Sequence, residues 1–199
     1  ITSTTGATCN GVGSGSATAA GTGGVGPYTY LWPDAQTGAT ATSLAGGTYV
    51  VTVSDANGCT ATATAIITEP TAVLVTVVAT TDVSCHGGND GTASISMQGG
   101  TPTNGYTIQW SGAPGLNSPN ATGLSAGVQT VTLIDANGCF DIDTFTINEP
   151  VDALSGYLTT ADALCFGSAT GELGAIITGG TMPYSYQWTG NVSNSEIAN

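Results

Sequence analysis

The pentapeptide DANGC occurs twice in the chain, at residues 55–59 and again at residues 135–139. The similarity continues on the N-terminal side, where GGTYVVTVS precedes the first copy and AGVQTVTLI precedes the second. Further upstream, the motifs PYTYLW, GYTIQW and PYSYQW end in three tryptophans at constant 78-residue intervals: Trp32, Trp110 and Trp188. This periodicity constrains the fold more than any single motif, because it indicates several copies of one structural unit in tandem.

The period divides the chain into three predicted domains. Repeat 1 covers residues 1–70, repeat 2 covers 71–150, and 151–199 is the N-terminal part of a third repeat, truncated before its own DANGC. We therefore interpret the chain as a slice of a longer protein. Only a residue or two separates Pro70 from the next apolar run, so we expect neighbouring repeats to be held in a restricted orientation.

The chain contains no Lys or Arg and has thirteen Asp and Glu residues, which give a net charge of −13. Without cationic side chains it cannot neutralise phosphates, which excludes nucleic acid and electrostatic docking to anionic lipid. No run of 18 apolar residues is present, so we predict no membrane insertion of this segment. Each carboxylate must face water, accept hydrogen bonds from backbone amides, or bind a metal ion. We predict no cofactor, with calcium as the one candidate.

Each complete repeat holds one pair of cysteines, separated by 50 residues in repeat 1 and by 54 in repeat 2. The simplest pairing is Cys9–Cys59 and Cys85–Cys139, with the partner expected for Cys165 lying beyond the truncation. A metal site is the competing interpretation, although the short CxxC spacings typical of such sites are absent. A disulfide closing a loop of about 50 residues contributes about 4 kcal/mol in the chain-entropy model and indicates an oxidising compartment.

Alternating apolar and polar residues predict β-strands throughout the chain. Asn-Gly within DANGC is a preferred hairpin turn, and we expect Asp55 and Asp135 to accept hydrogen bonds from the turn amides, with ligation of an ion as the alternative. Tyr28, Tyr30 and Trp32 stand at alternate positions, so they share one face of a strand. We interpret this aromatic stripe as core, with a sugar-stacking surface as the alternative. The expected fold is all-β: tandem immunoglobulin-like antiparallel β-sandwiches of about seven short strands, arranged as an elongated rod.

Several linked segments, among them SCHGGNDGTASISMQGGTP, PYTYLW, LAGGTYVVTVSDANGC and IITEP, closely resemble the SprB-type repeat of Bacteroidetes surface proteins. The resemblance covers nearly the whole chain. It implies a very large secreted protein with many such repeats, located outside the cell at its surface. The family includes adhesins that move along gliding bacteria, and its members commonly leave the cell by type IX secretion.

We therefore predict a structural role without catalysis, as the repeat segment of an extracellular adhesin or filament that projects a contact region for adhesion or gliding motility. The expected partners are neighbouring repeats, other copies in a filament, and surface glycans or a host surface. Two alternatives stay open. The chain could be a subunit of a self-assembling multi-stranded filament, or a carbohydrate-binding or stalk module of a secreted enzyme.

The remaining polar residues give weaker signals. His86 is the single histidine and stands beside Cys85, so we interpret it as a loop residue rather than a catalytic base. The closest acidic pairs, Asp82 with Asp90 and Asp141 with Asp143, are not repeated in every unit, which favours solvated carboxylates over metal ligands. Thr144, in the tripeptide DTF, resembles the O-glycosylation pattern of Bacteroidetes and is the candidate for modification.

Overall fold

The computed structural model of the chain describes residues 1–167 and 170–189 and the backbone of 197–198. Within these residues the chain forms fifteen β-strands and no helix. The strands of repeat 1 are β1 (Ser3–Thr5), β2 (Gly15–Thr18), β3 (Thr29–Leu31), β4 (Thr40–Leu44), β5 (Gly47–Ser54) and β6 (Thr60–Ile67). Those of repeat 2 are β7 (Leu74–Thr81), β8 (Gly91–Gln98), β9 (Thr107–Trp110), β10 (Asn120–Leu124), β11 (Gly127–Ile134) and β12 (Phe140–Ile147). The third repeat contributes β13 (Ser155–Ala161), β14 (Glu172–Thr178) and β15 (Ile197–Ala198).

Each complete repeat is built from two three-stranded sheets. In repeat 1 the sheets are antiparallel, with strand orders β1-β2-β4 and β3-β5-β6. Repeat 2 has the equivalent sheets β10-β8-β7 and β12-β11-β9, and the third repeat has β13-β14-β15. The all-β class is confirmed, with six strands in each complete repeat where about seven were expected. The immunoglobulin-like topology and the rod arrangement stay predictions.

The chain forms two compact units. The first consists of Ile1–Thr76, Ser96–Gln109 and Val131–Asp143, and the second of Val77–Ile95, Trp110–Thr130 and Thr144–Asn199. These units do not follow the sequence period, so the domain boundaries at 70/71 and 150/151 stay predictions. No helix in the described part of the chain is long and apolar enough to cross a membrane.

The core of repeat 1 contains residues from both of its sheets. Its buried members are Ala17, Ala19, Trp32, Ala41, Leu44, Val51, Ala65 and Ile67. Trp32 is 1% exposed, and its indole N–H donates to the carbonyl of Gly38 at 2.9 Å, which satisfies the one polar atom of the ring. Trp110 is 3% exposed in repeat 2, and its indole N–H donates likewise to Ser118. The interpretation of the aromatic stripe as core is confirmed for these two tryptophans.

The hairpin prediction is also confirmed. Strands β5 and β6 pair from Gly47↔Ile67 to Ser54↔Thr60, and the first DANGC connects them. Within the turn the N–H of Asp55 donates to the carbonyl of Cys59, and Gly58 has φ +82°. The glycine, and not the asparagine before it, therefore takes the left-handed conformation that an L-residue rarely adopts.

Leu44 and Leu31 provide a matched test of the core. Leu44 is 1% exposed and Leu31 is 54% exposed in the same repeat. We expect Leu44→Ala to lower the free energy of unfolding by about 2–5 kcal/mol, because it removes a packed side chain and leaves a cavity. Leu31→Ala should change it by about 0.5 kcal/mol or less. Urea denaturation of the oxidised chain measures both, and equal losses would contradict this core.

Candidate functional site

The two DANGC turns are held by their own aspartates. Oδ1 of Asp55 accepts the N–H groups of Asn57 and Cys59 at 2.9 and 2.8 Å, and Oδ2 accepts the N–H of Val25 at 3.2 Å. These bonds stabilise the ionised form and hold the pKa of Asp55 below its ordinary value of 3.8, with the bond from Cys59 the largest cause. The predicted role of the aspartate is confirmed.

Asp135 makes the same contacts in repeat 2 but is buried. Its Oδ1 accepts the N–H groups of Asn137 and Cys139 at 2.9 Å, and its Oδ2 accepts both the N–H and the hydroxyl of Thr101. The side chain is 6% exposed. Burial raises the pKa of Asp135, but the hydrogen bonds from Thr101, Cys139 and Asn137 outweigh it, so the pKa lies below 3.8.

The disulfide joins Cys9 to Cys139, across 130 residues, with the Cα atoms 5.6 Å apart. The predicted pairings Cys9–Cys59 and Cys85–Cys139 are therefore wrong. The physical reason is that the loop around Cys9 lies against the hairpin turn of repeat 2 instead of the turn of its own repeat. Cys59 and Cys85 are exposed thiols, and Cys165 is also exposed.

Polar contacts accompany this bond. The side-chain amide of Asn137, within the second DANGC, donates to the carbonyl of Thr8 at 3.2 Å and to the hydroxyl of Thr101 at 2.7 Å. Asn137 thus connects three segments: the cysteine loop of repeat 1 (residues 8–11), its own turn, and the Gly-Gly-Thr turn at 99–101. The second DANGC is a docking site for the preceding cysteine loop as well as a hairpin turn.

The other side of the cysteine loop is bound by the Glu-Pro pair that ends repeat 1. The carboxylate of Glu69 accepts the side-chain amide of Asn10 at 3.1 Å and the N–H of Gly11 at 2.8 Å, and Asn10 also donates to the carbonyl of Pro70. The carboxylate of Glu69 also accepts the N–H of Gly46. Glu69 therefore holds the loop next to the point where the chain enters repeat 2.

Repeat 2 reproduces this arrangement. The N–H of Gly87 donates to Oε2 of Glu149 at 2.6 Å. Nδ1 of His86 lies 3.0 Å from the carbonyl oxygen of Pro150 and 3.5 Å from the carboxylate of Glu149. His86 is thus an exposed loop residue, as expected, and it takes the place of Asn10. The sequence analysis noted the recurring Glu-Pro pair but did not recognise that its glutamate anchors the cysteine loop.

The linker that leads from Pro70 into β7 (residues 71–73) lies against the Gly-Gly turn of repeat 2. The N–H of Gly100 donates to the carbonyl of Thr71 at 2.9 Å, and a Cβ on Gly99 would overlap the carbonyl of Ala72. Just beyond the linker, in β7, the N–H of Val75 donates to the carboxylate of Asp141 at 2.9 Å. Only glycine allows so close an approach of two backbones, which explains why this turn is written Gly-Gly.

The two aspartates of the first acidic pair, Asp82 and Asp90, bind different partners. Asp82 accepts the N–H and the side-chain amide of Asn148, while Asp90 accepts the N–H of Ser84 at 2.9 Å. Among the residues that the structure describes, no three His, Cys, Asp or Glu side chains are grouped as metal ligands. Thr144 lies on β12 and is exposed, and its glycosylation stays a prediction.

Two sheets per repeat, and a cystine that ties one repeat to the next, define a tandem-repeat β-protein. The family model described as SprB repeat matches residues 1–37, 77–115 and 158–193, which together make up more than half of the chain. The chain belongs to the SprB repeat family, and the resemblance drawn from the sequence is confirmed. No curated protein matches the chain.

The disulfide can be mapped directly, because cleavage before aspartate places all five cysteines on different peptides. Without reduction, we expect the peptide 1–33 to be linked to the peptide 135–140, with Cys59 and Cys85 open to alkylation. The Cys9→Ser variant should release Cys139 for alkylation and serves as the control. A linked pair of peptides 1–33 and 55–81 would restore the pairing within the repeat.

Acid should weaken the second hairpin turn. Because the pKa of Asp135 is lower in the folded state, its ionised form contributes stability that is fully present above pH 3.8 and is lost as the pH falls through the folded-state pKa. We expect Asp135→Asn to lower the free energy of unfolding by about 1–3 kcal/mol at pH 7, since it replaces one acceptor oxygen of a buried carboxylate with an NH2 group that cannot accept the N–H bonds there. The difference in free energy of unfolding between wild type and Asp135→Asn should become smaller below about pH 3.8, near the ordinary aspartate pKa.

Urea denaturation at several pH values measures this difference. Asp162→Asn, at an exposed position, is the matched control and should change stability by about 0.5 kcal/mol or less at any pH. A difference between wild type and Asp135→Asn that stays constant down to pH 2 would show that the charge of Asp135 is not involved.

Proposed function

We propose that the chain is part of the shaft of an extracellular surface adhesin or filament, where its repeats transmit tension between the cell and a contact region. SprB repeats are found in surface proteins, which supports a surface location. The Cys9–Cys139 bond adds support, because disulfides persist in oxidising environments. In this proposal the repeats follow one another as an elongated rod and have no catalytic role.

The observation that carries the proposal is the long reach of the disulfide. When the chain is pulled from its two ends, tension passes from residue 9 through the sulfur atoms to residue 139. The residues between them carry no load while the bond is intact. Most of repeats 1 and 2 would therefore be protected from unfolding under force. Two separate disulfides, Cys9–Cys59 and Cys85–Cys139, would leave the residues between Cys59 and Cys85 under load.

The core position of the aromatic residues supports a structural role over glycan binding. Trp32 and Trp110 are buried and their indole N–H groups are satisfied by backbone carbonyls, so these rings offer no face to a sugar. In repeat 2 the ring of Phe145 packs edge-on against Trp110, with the centroids 5.9 Å apart. Any contact with glycans would have to use another surface.

Single-molecule force spectroscopy tests the proposal. With the 130-residue loop closed, the fully extended chain should be shorter by about 430–470 Å, at about 3.3–3.6 Å per residue. Reduction, or the Cys9→Ser substitution, should restore this length. Cys59→Ser leaves the bond in place and is the matched control. Equal extended lengths for the oxidised chain and for Cys9→Ser would rule out this path of tension.

A further inference from the structure

The three Gly-Gly turns are equivalent positions in the three repeats. In each, a tyrosine of the aromatic motif donates its hydroxyl to the carbonyl of the first glycine; the pairs are Tyr28 with Gly23, Tyr106 with Gly99, and Tyr184 with Gly179. The surroundings of these glycines can therefore be compared directly, and they differ in one respect.

In repeats 2 and 3 the turn is covered by the linker that precedes the repeat. A Cβ on Gly99 would overlap the carbonyl of Ala72, and a Cβ on Gly179 would overlap the carbonyl of Ala153. The N–H of the next glycine donates to the linker in both cases, Gly100 to Thr71 and Gly180 to Asp152. The contact between the linker and this turn therefore recurs in repeats 2 and 3 of the chain.

In repeat 1 the same surface is open. Apart from Gly23 itself and its two neighbours in the chain, no atom lies within 4 Å of a Cβ placed on Gly23. A groove of about 260 Å³ runs beside it, lined by the glycine-rich loop, Tyr28, Val53, Asp55 and Cys59. Val53 is only half-buried, whereas its counterpart Leu133 in repeat 2 is fully buried.

The geometry points to a specific occupant: we propose that this groove is the acceptor site for another SprB repeat attached at the N-terminal side. The linker of that repeat would lie in the groove, and its cysteine loop would form a disulfide with Cys59. Cys59 stands in the same position of the DANGC turn as Cys139, which is bonded to the cysteine loop of repeat 1. Asn57 matches Asn137 and is available to hold the incoming loop.

Cys85 is the other half of the same kind of junction. A cavity of about 360 Å³ is bounded on one side by Ser84, Cys85 and His86 and on another by Gly180 and Thr181 of the third repeat. In repeat 1, the corresponding loop residue Thr8 is linked through Asn137 to Thr101, the counterpart of Thr181. Cys85 is therefore placed to bond a DANGC turn of the third repeat, as Cys9 bonds that of the second.

The chemistry of each new bond is an ordinary thiol oxidation. The two thiols each lose a proton, one S–S bond forms, and two electrons pass to an external oxidant. In a cell the oxidant would be a thiol–disulfide oxidoreductase. In the assay below it is glutathione disulfide, whose S–S bond breaks to give two glutathione thiols.

An N-terminal fusion tests the acceptor site. A copy of residues 1–76 is placed before Ile1, so that Thr76 is followed by Ile1 where it is normally followed by Val77. After oxidation, we expect the added Cys9 to be linked to the original Cys59, with loss of alkylation at Cys59. The original Cys9–Cys139 bond should be retained and reports that the parent structure is intact. Cys9→Ser in the added copy is the control and should restore alkylation of Cys59.

A C-terminal fusion tests Cys85 independently, by replacing residues 189–199 with a copy of residues 111–150. We expect Cys85 to be linked to the added copy of Cys139. In either fusion, a bond within the added repeat, a disulfide-linked dimer of whole chains, or Cys59 and Cys85 left open to alkylation would overturn the proposal. Loss of the Cys9–Cys139 bond in both fusions would do so too, since docking must leave that junction intact.

This inference shares an oxidising environment with the proposed function, but the two fail separately. The pairing of cysteines in the fusions is decided in vitro, whether or not the chain carries tension in a cell. The force measurement, in turn, depends only on the bond between Cys9 and Cys139.

Discussion

The disulfide between Cys9 and Cys139 fixes the cysteine loop of repeat 1 on the hairpin turn of repeat 2, and the neighbouring contacts depend on that placement. Asn137 reaches Thr8 only because the loop lies there, and Glu69 holds the loop from its other side. The result is a short chain of contacts from the end of one repeat to the turn of the next. The chain contains no Lys or Arg, so neither residue type contributes to the contacts at this junction.

That absence of basic residues explains how the acidic side chains are used. Asp55, Asp135, Glu69 and Glu149 each accept backbone N–H groups, which satisfy a carboxylate without a cation. Such bonds are directional and short in range, and they fix local backbone geometry. A long surface salt bridge contributes little to stability and constrains geometry less. The chain thus uses its few charges to shape turns and loops at the ends of its sheets.

Local sequence patterns predicted the strands and hairpin turns well and the contacts between repeats poorly. The alternation in the aromatic motif gave the correct buried face, and DANGC gave both the hairpin and the role of its aspartate. The pairing of the cysteines was wrong for a physical reason. In a periodic sequence, a bond within a repeat and a bond to the next repeat leave the same pattern of cysteines. Only the three-dimensional structure, or a repeat that lacks one cysteine, distinguishes these two pairings. The role of Glu69 was hidden because most of its partners are backbone amides, which every residue type except proline supplies.

Stability alone does not choose between the two pairings. Lengthening the closed loop from 50 residues to 130 adds only about 0.8 kcal/mol in the chain-entropy model, because the closure entropy grows with the logarithm of loop length. The two pairings differ in which parts of the chain the disulfide connects. A bond within a repeat closes a loop in that repeat alone, whereas the observed bond cross-links one repeat to the next. A longer array with this pairing at every junction would have overlapping disulfide loops. In the proposed shaft, rupture of one bond would then leave the neighbouring, overlapping bonds to hold the chain, because each bond spans part of the loop that the next one closes.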